Sequence, residues 1–384
     1  MLPDIKSLTR EELERQFKTW NEPAYRVPQL LDWLYARRAT GWDAMSNLPK
    51  SLREKLRENF SLATLKLVRK QGAADTTQKF LWRLADGQFI ETVLIPANPA
   101  LYGEASDRHT LCLSTQVGCA YGCKFCASGL DGWKRNLEPH EIIEQVLAVE
   151  RWHASESSKL KVDGSQLADS EPTTVSQPPA THTRLINNLV IMGMGEPLAN
   201  YENLLKALKT LNAPWGGGIG ARKITISTSG LAPQIRRLAN EPMQFRLAIS
   251  LHGATDAVRE RIMPVNKKYP LNELIAACDD YQKLKGRMIT LEFILIAGVN
   301  DALAQTRPLA VLANRLYAKV NLIPYNPVEG LPWQRPSEEV CEGFLAALEK
   351  LGVTATLRRE KGGDIDAACG QLRLKTEREL APTT

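Results

Sequence analysis

The chain has 384 residues, 43% hydrophobic and 24% charged, with 49 basic against 43 acidic side chains and seven cysteines. This composition excludes collagenous, coiled-coil and disordered chains, and the length allows a full core without disulfide or metal staples. The longest apolar run, Phe293 to Val299, is far short of the about 20 residues of a membrane span. The charged N-terminus (MLPDIKSLTREELERQ) lacks the apolar stretch of a signal peptide. The expectation is a cytoplasmic protein with no membrane partner, whose thiols stay reduced. The net charge of +6 is weak support for a nucleic-acid partner.

Residues 1–62 read as a helical domain. Thr9 and Glu12 have the spacing of a capping box. Val27, Leu30, Leu31 and Leu34 recur at helical spacing, and Pro49 opens a helix with Leu52, Leu56 and Phe60 on one face. From 63 to 107 the period changes. LKLV, KFLWRL and FIETVLI read as strands of a small antiparallel sheet, with Asp86-Gly87 as a hairpin turn between the last two.

Residues 108–384 alternate strand-like and helical runs. The strands are Thr110–Thr115, Asn188–Met192, Lys223–Thr228, Arg246–Leu251, Thr290–Ile296 and Lys319–Ile323. Helical runs include Pro139–Trp152, Tyr201–Leu211, Ala232–Ala239 and Leu271–Lys285. This predicts an α/β fold: a partial (β/α)6 barrel of parallel strands, joined to the N-terminal helical domain and the small antiparallel sheet. Chemistry in such folds gathers at the carboxyl ends of strands. The segment 154–184 has no Phe, Trp or Tyr and is dense in Ser, Thr and Pro, so it reads as a disordered insertion.

After the first barrel strand the chain reads LCLSTQVGCAYGCKFCASG, and Cys119, Cys123 and Cys126 form C-x3-C-x2-C. Three thiolates on one loop hold three irons of a cubane cluster and leave the fourth iron open for a small chelating molecule. Zinc is the rival, but a structural zinc needs four ligands, and His109 and His140 flank the loop only distantly. Cys278 and Cys341 lie on amphipathic helical runs and read as packing residues.

The spacing, with Phe125 before the last cysteine, resembles the radical S-adenosylmethionine superfamily. The strings MGMGEP (Met192–Pro197), TISTSG (Thr225–Gly230), AISLH (Ala248–His252), NLIPYNP (Asn321–Pro327) and GDIDAACGQL (Gly363–Leu372) together resemble the RlmN family of dual-specificity RNA (adenine carbon-2) methyltransferases. The resemblance covers nearly the whole chain outside the insertion. It implies one [4Fe-4S] cluster held by Cys119, Cys123 and Cys126, and two equivalents of S-adenosylmethionine per turnover. It implies a cofactor pocket of Gly195, Glu196, Ser227, Ser250, Leu251, His252 and Asn326.

The resemblance also implies the catalytic residues. Carbon 2 of adenine is electron-poor, so a carbon radical adds there where an electrophilic methyl group does not. Cys369 would carry the methyl group, Cys112 would resolve the protein–RNA adduct through a disulfide, and Glu91 would take the proton left on carbon 2. By themselves Cys369 is a small residue after two alanines, Cys112 a strand residue and Glu91 a strand carboxylate. The implied substrates are 23S ribosomal RNA and an adenosine beside the tRNA anticodon, and the implied electron donor is flavodoxin- or ferredoxin-like. The protein is expected to be a monomer. Residues 1–62 would bind RNA, with Arg53, Lys55 and Arg57 of this domain and Lys66, Arg69 and Lys70 of the small sheet meeting phosphates.

Departures from the family pattern are the insertion, a second around Ala97 to Ser106, and KGGD at Lys361–Asp364 in place of RGDD. They bear on substrate choice more than on chemistry. The rival functions are a carbon-8 adenine methyltransferase, a glycyl-radical activase, or a non-catalytic metal-containing RNA-binding protein.

Overall fold

The computed structural model describes residues 2–73, 76–97, 106–163, 184–358 and 370–380, with 158–163 described by backbone alone. Two compact units divide the chain. One comprises residues 1–65, 138–187 and 205–219, and the other 66–137, 188–204 and 220–384.

In the first unit the helix Arg10–Thr19 starts at the expected capping box. Thr9 Oγ1 accepts from the Glu12 N–H at 3.2 Å, and the Glu12 carboxylate accepts from the Thr9 N–H at 2.6 Å. Helix Arg26–Leu31 runs into a wide π turn at Asp32–Ala36, and helix Lys50–Asn59 begins after Pro49. Leu13, Phe17, Val27, Leu30, Leu31, Leu34, Leu52 and Leu56 are buried, as their helical spacing predicts. The Lys6 ammonium donates to the Ala63 carbonyl at 2.6 Å and lies 3.5 Å from each of the Asp4 and Glu144 carboxylates.

The helix that begins at Pro139 runs to Asp163, so the expected disordered segment does not start at 154. Ala154 to Asp163 contains no Gly or Pro, and its Ala, Glu, Lys and Leu residues favour helix; Gly164 is the first breaker. The rest of that insertion up to 183, and most of the second one, lie outside the described residues. The return of the chain is fastened by Glu150. Its carboxylate accepts from the N–H groups of Leu185 (3.1 Å) and Ile186 (2.9 Å) and pairs with the Arg38 guanidinium at 3.1 Å.

The second unit carries a ten-stranded sheet in the order β1-β2-β3-β4-β7-β8-β9-β10-β11-β12. Its strands are β1 (Lys66–Gly72), β2 (Gln78–Arg83), β3 (Phe89–Pro96), β4 (His109–Cys112), β7 (Asn188–Ile191), β8 (Ile224–Thr228), β9 (Arg246–Ser250), β10 (Thr290–Leu295), β11 (Lys319–Pro324) and β12 (Ala355–Leu357). From β4 onward every pairing is parallel, so the six expected strands are present and β12 adds a seventh. β1 pairs with β2, β2 with β3 and β3 with β4, each antiparallel. The expected small sheet is therefore a continuation of the parallel one. Asp86-Gly87 makes the β2–β3 turn, with Gly87 at φ +85°.

The parallel strands read as near-continuous apolar runs because they are covered on both faces; Leu189, Ile191, Ile226, Ile249, Leu291 and Phe293 are all buried. Strand β4 stops at Cys112, short of the expected Thr115. The chain then turns across the sheet edge, Leu113 N–H donating to Val190 O and Thr115 N–H to Met194 O. A short hairpin, β5 (Gln116–Gly118) with β6 (Trp133–Asn136), brackets the cysteine loop. Because β4 and β7–β11 are parallel, the segments that follow them emerge at one edge of the sheet. Cys278 and Cys341 are fully buried on the helices Leu271–Lys285 and Glu338–Lys350. No helix among the described residues is long and apolar enough to cross a membrane.

Candidate active site

The cysteine loop is held from several sides of its own unit. Cys119 N–H donates to Gly132 O at 3.1 Å, and Lys124 N–H donates to Ile262 O at 2.9 Å. Trp333 Nε1–H donates to Lys124 O at 2.9 Å. Gly118 sits at φ +75°, and a side chain there would meet Gly132 O at 1.9 Å. None of the described cysteines is in a disulfide.

Burial pushes the Cys119 thiol up to about 12, and the charges of Cys126 and Glu196 push the same way. Burial pushes Cys123 well above its ordinary value too, with Cys126, Cys119 and Glu196 adding to it and the Arg259 guanidinium opposing them. Cys119 and Cys123 therefore resist ionising, and a cationic iron centre supplies what they lack. Among the described residues no three His, Cys, Asp or Glu side chains converge on a single metal ion, as zinc requires. A cubane makes no such demand, because each thiolate takes a different iron. The donor set fits a cluster.

Glu196 is buried beside this loop. Its Oε2 accepts from the Ser229 N–H at 2.7 Å and its Oε1 from the Leu198 N–H at 3.0 Å. Burial raises its carboxyl above the ordinary range, against the lowering effect of the Ser229 and Thr228 hydrogen bonds. The Glu196 N–H donates to Gln116 Oε1 at 2.9 Å. The glycines around it have a structural reason. A Cβ at Gly193 would lie 2.6 Å from Leu113 O, and one at Gly195, where φ is +100°, 2.6 Å from Gln116 Cβ. Here they let the turn after β7 approach the segment Leu113–Gln116.

The other expected pocket residues fall on the same sheet edge. Ser227 and Ser250 hydroxyls lie 3.4 Å apart. Leu251 is fully buried, and its N–H donates to Glu292 O at 3.0 Å. His252 has φ +54°, its Nδ1 accepts from the Ile294 N–H at 3.0 Å, and its ring meets Phe125 edge-on at 5.0 Å. Burial, then the Arg259 charge, holds its pKa down at about 3, so it is neutral near pH 7. Asn326 Oδ1 accepts from Arg335 at 3.3 Å.

Cys112 and Glu91 come together through strand register. Val93 lies opposite both Cys112 on β4 and Lys79 on β2, and Leu81 lies opposite Glu91. Opposite residues point to one face and strand faces alternate every second residue, so Lys79, Glu91, Val93 and Cys112 share a face. Glu91 and Cys112 are diagonal neighbours, which places them about 7–8 Å apart with their Cβ atoms somewhat closer. Glu91 is buried. Its Oε2 meets the Lys79 ammonium at 2.9 Å and accepts from the Gly370 N–H at 2.8 Å, and its Oε1 accepts from the Arg373 N–H at 2.7 Å. The structure thus seats this carboxylate on the first turn of the helix Gln371–Leu380. Cys369 lies outside the described residues; it precedes Gly370 in the chain.

Several of the basic residues expected at RNA have local acids. Lys55 pairs with Glu22 at 3.2 Å, Arg57 with Asp43 at 2.7 Å, and Arg69 with Glu379; Arg53 donates to the Asp43 carbonyl at 3.1 Å. Lys66 is exposed, and so is Lys70. Exposed pairs are weak enough to exchange for phosphate.

Comparison with known proteins decides the family. Residues 3–62 match the ribosomal RNA large subunit methyltransferase N-terminal domain, and residues 182–307 match the radical SAM superfamily. A protein of Opitutus terrae named a probable dual-specificity RNA methyltransferase RlmN 3 is 52% identical over 98% of this chain and 96% of its own. The chain belongs to the RlmN family. An Akkermansia muciniphila protein named a probable RlmN is 49% identical over 100% of this chain and 99% of its own. A solved radical SAM methyltransferase from Sphaerobacter thermophilus is 42% identical, covering 96% of this chain and 98% of its own, with a TM-score of 0.83. The chain is thus a radical S-adenosylmethionine enzyme of an RNA methyltransferase family, and that superfamily implies a [4Fe-4S] cluster and S-adenosylmethionine.

Sequence reading alone missed Lys79, Gln116 and Arg259. Arg259 is fully buried, and its guanidinium donates to Leu251 O at 3.1 Å, to Asn266 Oδ1 at 2.8 Å and to Ser229 O. It ties together the turns after β8 and β9. Its one sequence signal is a charged residue at a buried helical position.

Proposed function

We propose that this RlmN-family protein methylates carbon 2 of adenosine in 23S ribosomal RNA and in tRNA beside the anticodon, acting as a monomer fed by a flavodoxin- or ferredoxin-like donor. The register that puts Cys112 and Glu91 on one sheet face, against the helix that starts just after Cys369, is the observation that carries the reading. Cys119, Cys123 and Cys126 would hold the cluster; Gly195, Glu196, Ser227, Ser250, Leu251, His252 and Asn326 would line the S-adenosylmethionine pocket. When bound, cluster and cofactor supply the methyl group for Cys369 and, from a second equivalent, the radical that takes a hydrogen from it.

The remaining steps fall to the chain's own residues. Cys369 presents its methylene to carbon 2 of the base. Glu91 takes the proton left on that carbon, the bond pair entering the ring, and the unpaired electron passes to a one-electron acceptor. Cys112, as thiolate, attacks the Cys369 sulfur. The S–S bond forms, the carbon–sulfur bond breaks, and the carbon keeps the pair and takes a proton to become methyl. A two-electron reductant then reopens the disulfide. Glu196, already fixed by two N–H donors, has lone pairs left to accept from the cofactor's amino group.

The test is nucleoside mass spectrometry on ribosomal RNA and tRNA from cells with and without the protein. Loss of 2-methyladenosine in the deletion, restored by the gene, is the expected result. Loss of 8-methyladenosine, or of no methylated adenosine, contradicts the reading.

A further inference from the structure

The C-terminal helix meets β2 and β3 with both an apolar and an ionic contact. Leu372 is fully buried and clusters with Leu81 and Phe89, which share the Glu91 face. One turn away, Glu91 accepts from the Gly370 and Arg373 N–H groups, donors that an α-helix leaves without internal partners at its start. The Lys79 ammonium supplies the countercharge, and both ion-pair side chains are almost fully buried, at 1% and 3% exposure. Gly370 is fixed from the other side as well. It sits at φ +92°, where a Cβ would lie 2.8 Å from Ser128 N, two residues past Cys126.

This arrangement conflicts with a carboxylate that only takes a proton. Glu91 holds three donors at once, one on Oε1 and two on Oε2. Three of its roughly four lone-pair positions are taken and it is only 3% exposed, so a substrate carbon reaches it only when the helix start that holds it moves.

We infer that Lys79 is a positioning residue: it holds Glu91 on the first turn of the C-terminal helix, so that seating of this helix and availability of the Glu91 carboxylate are alternatives controlled by one ion pair. This deepens the proposed reaction and rests on it for the role of Glu91. While the helix is seated, the carboxylate is occupied. When the helix start lifts off, the carboxylate is exposed and keeps Lys79 beside it. Proton removal is thereby timed to movement of the segment that follows Cys369. A neutral residue at 79 would leave the buried carboxylate without its countercharge, and so loosen the helix start and misplace the base.

The test uses the full-length, cluster-loaded protein and three forms: wild type, Lys79→Met and Lys79→Arg. Amide hydrogen exchange is followed at Gly370 and Arg373, with Ile226 and Ile249 in the core strands as the folding control. Methyl loading of Cys369 and the rate of adduct release on a short RNA hairpin are followed in parallel. In Lys79→Met, exchange at Gly370 and Arg373 should rise about tenfold or more with the core amides unchanged; loading should persist, and release should slow about tenfold or more. Lys79→Arg should restore both. Unchanged exchange in Lys79→Met overturns the inference. So does faster exchange with normal release, because helix seating and base would then be independent, and so does slow release that Lys79→Arg does not rescue. If wild type neither loads Cys369 nor forms an adduct, the proposed reaction fails instead, and the exchange data still decide whether Lys79 holds the helix.

Discussion

Glu150 in the first unit and Glu91 in the second are built alike. Each is a buried carboxylate that accepts two backbone N–H groups and meets one buried cation: Leu185, Ile186 and Arg38 for Glu150, and Gly370, Arg373 and Lys79 for Glu91. Each catches the chain where it returns after residues outside the described part. Their surroundings differ. Glu150 fastens a return next to Arg184, which donates to the carbonyls of Gly216 and Gly217. Glu91 fastens the residue after Cys369, on the face that carries Cys112. A buried ionic clamp is therefore no mark of a catalytic site by itself. Its meaning comes from the groups its backbone partners carry.

The comparison can be broken by substitution. Glu91→Gln and Glu150→Gln should each cost about 3 kcal/mol in urea unfolding, since each strands a buried cation. Only Glu91→Gln should slow adduct release, by about a hundredfold, while Glu150→Gln protein that remains folded releases at the wild-type rate. Equal effects on release would make both carboxylates structural.

A smaller effect is expected on pH. The folded pKa of His252, about 3, lies below its ordinary 6.5. Its contribution to stability is whole above about pH 6.5 and is lost as pH falls towards 3. Urea midpoints from pH 7.5 to 5 should therefore fall less steeply in His252→Gln than in wild type. Parallel slopes would mean the ring is accessible and protonated in the folded state.

The smallest effect should come from shortening the first insertion. Removing Gly164–Pro179 keeps the helix to Asp163 and the Glu150 clamp on Leu185 and Ile186. Melting temperature should shift by about 2 °C or less, because shortening a loop changes closure entropy only slowly. A larger fall would show that the removed residues pack. The logarithm of the RNA affinity, in turn, should decline linearly with log salt concentration.

The legible parts of this chain are those where chemistry or periodicity is local. Cys119, Cys123 and Cys126 compress a ligand set into one loop, and the strands β4 and β7 to β11 announce themselves as short apolar runs. The capping box at Thr9 was legible for the same reason. The clamp on Gly370 was not, because Glu91 and Gly370 are 279 residues apart and meet only through sheet register and helix seating. Lys79 reads in sequence as an ordinary exposed alternation, yet it is 1% exposed. β12 was missed because Ala355–Leu357 is too short to show a period. The helix beyond Trp152 was misread because a lack of aromatic residues was weighed above the helix-forming Ala, Glu and Lys in it.

The most direct test of the two-cysteine account is peptide mass spectrometry on Cys112→Ala protein prepared with an intact cluster, incubated with RNA and digested with nuclease. The account predicts a nucleotide bound through a methylene to the Cys369 peptide, absent from wild type and from Cys369→Ala, because the resolving thiol is gone. Normal turnover by Cys112→Ala, with no trapped nucleotide, would contradict it.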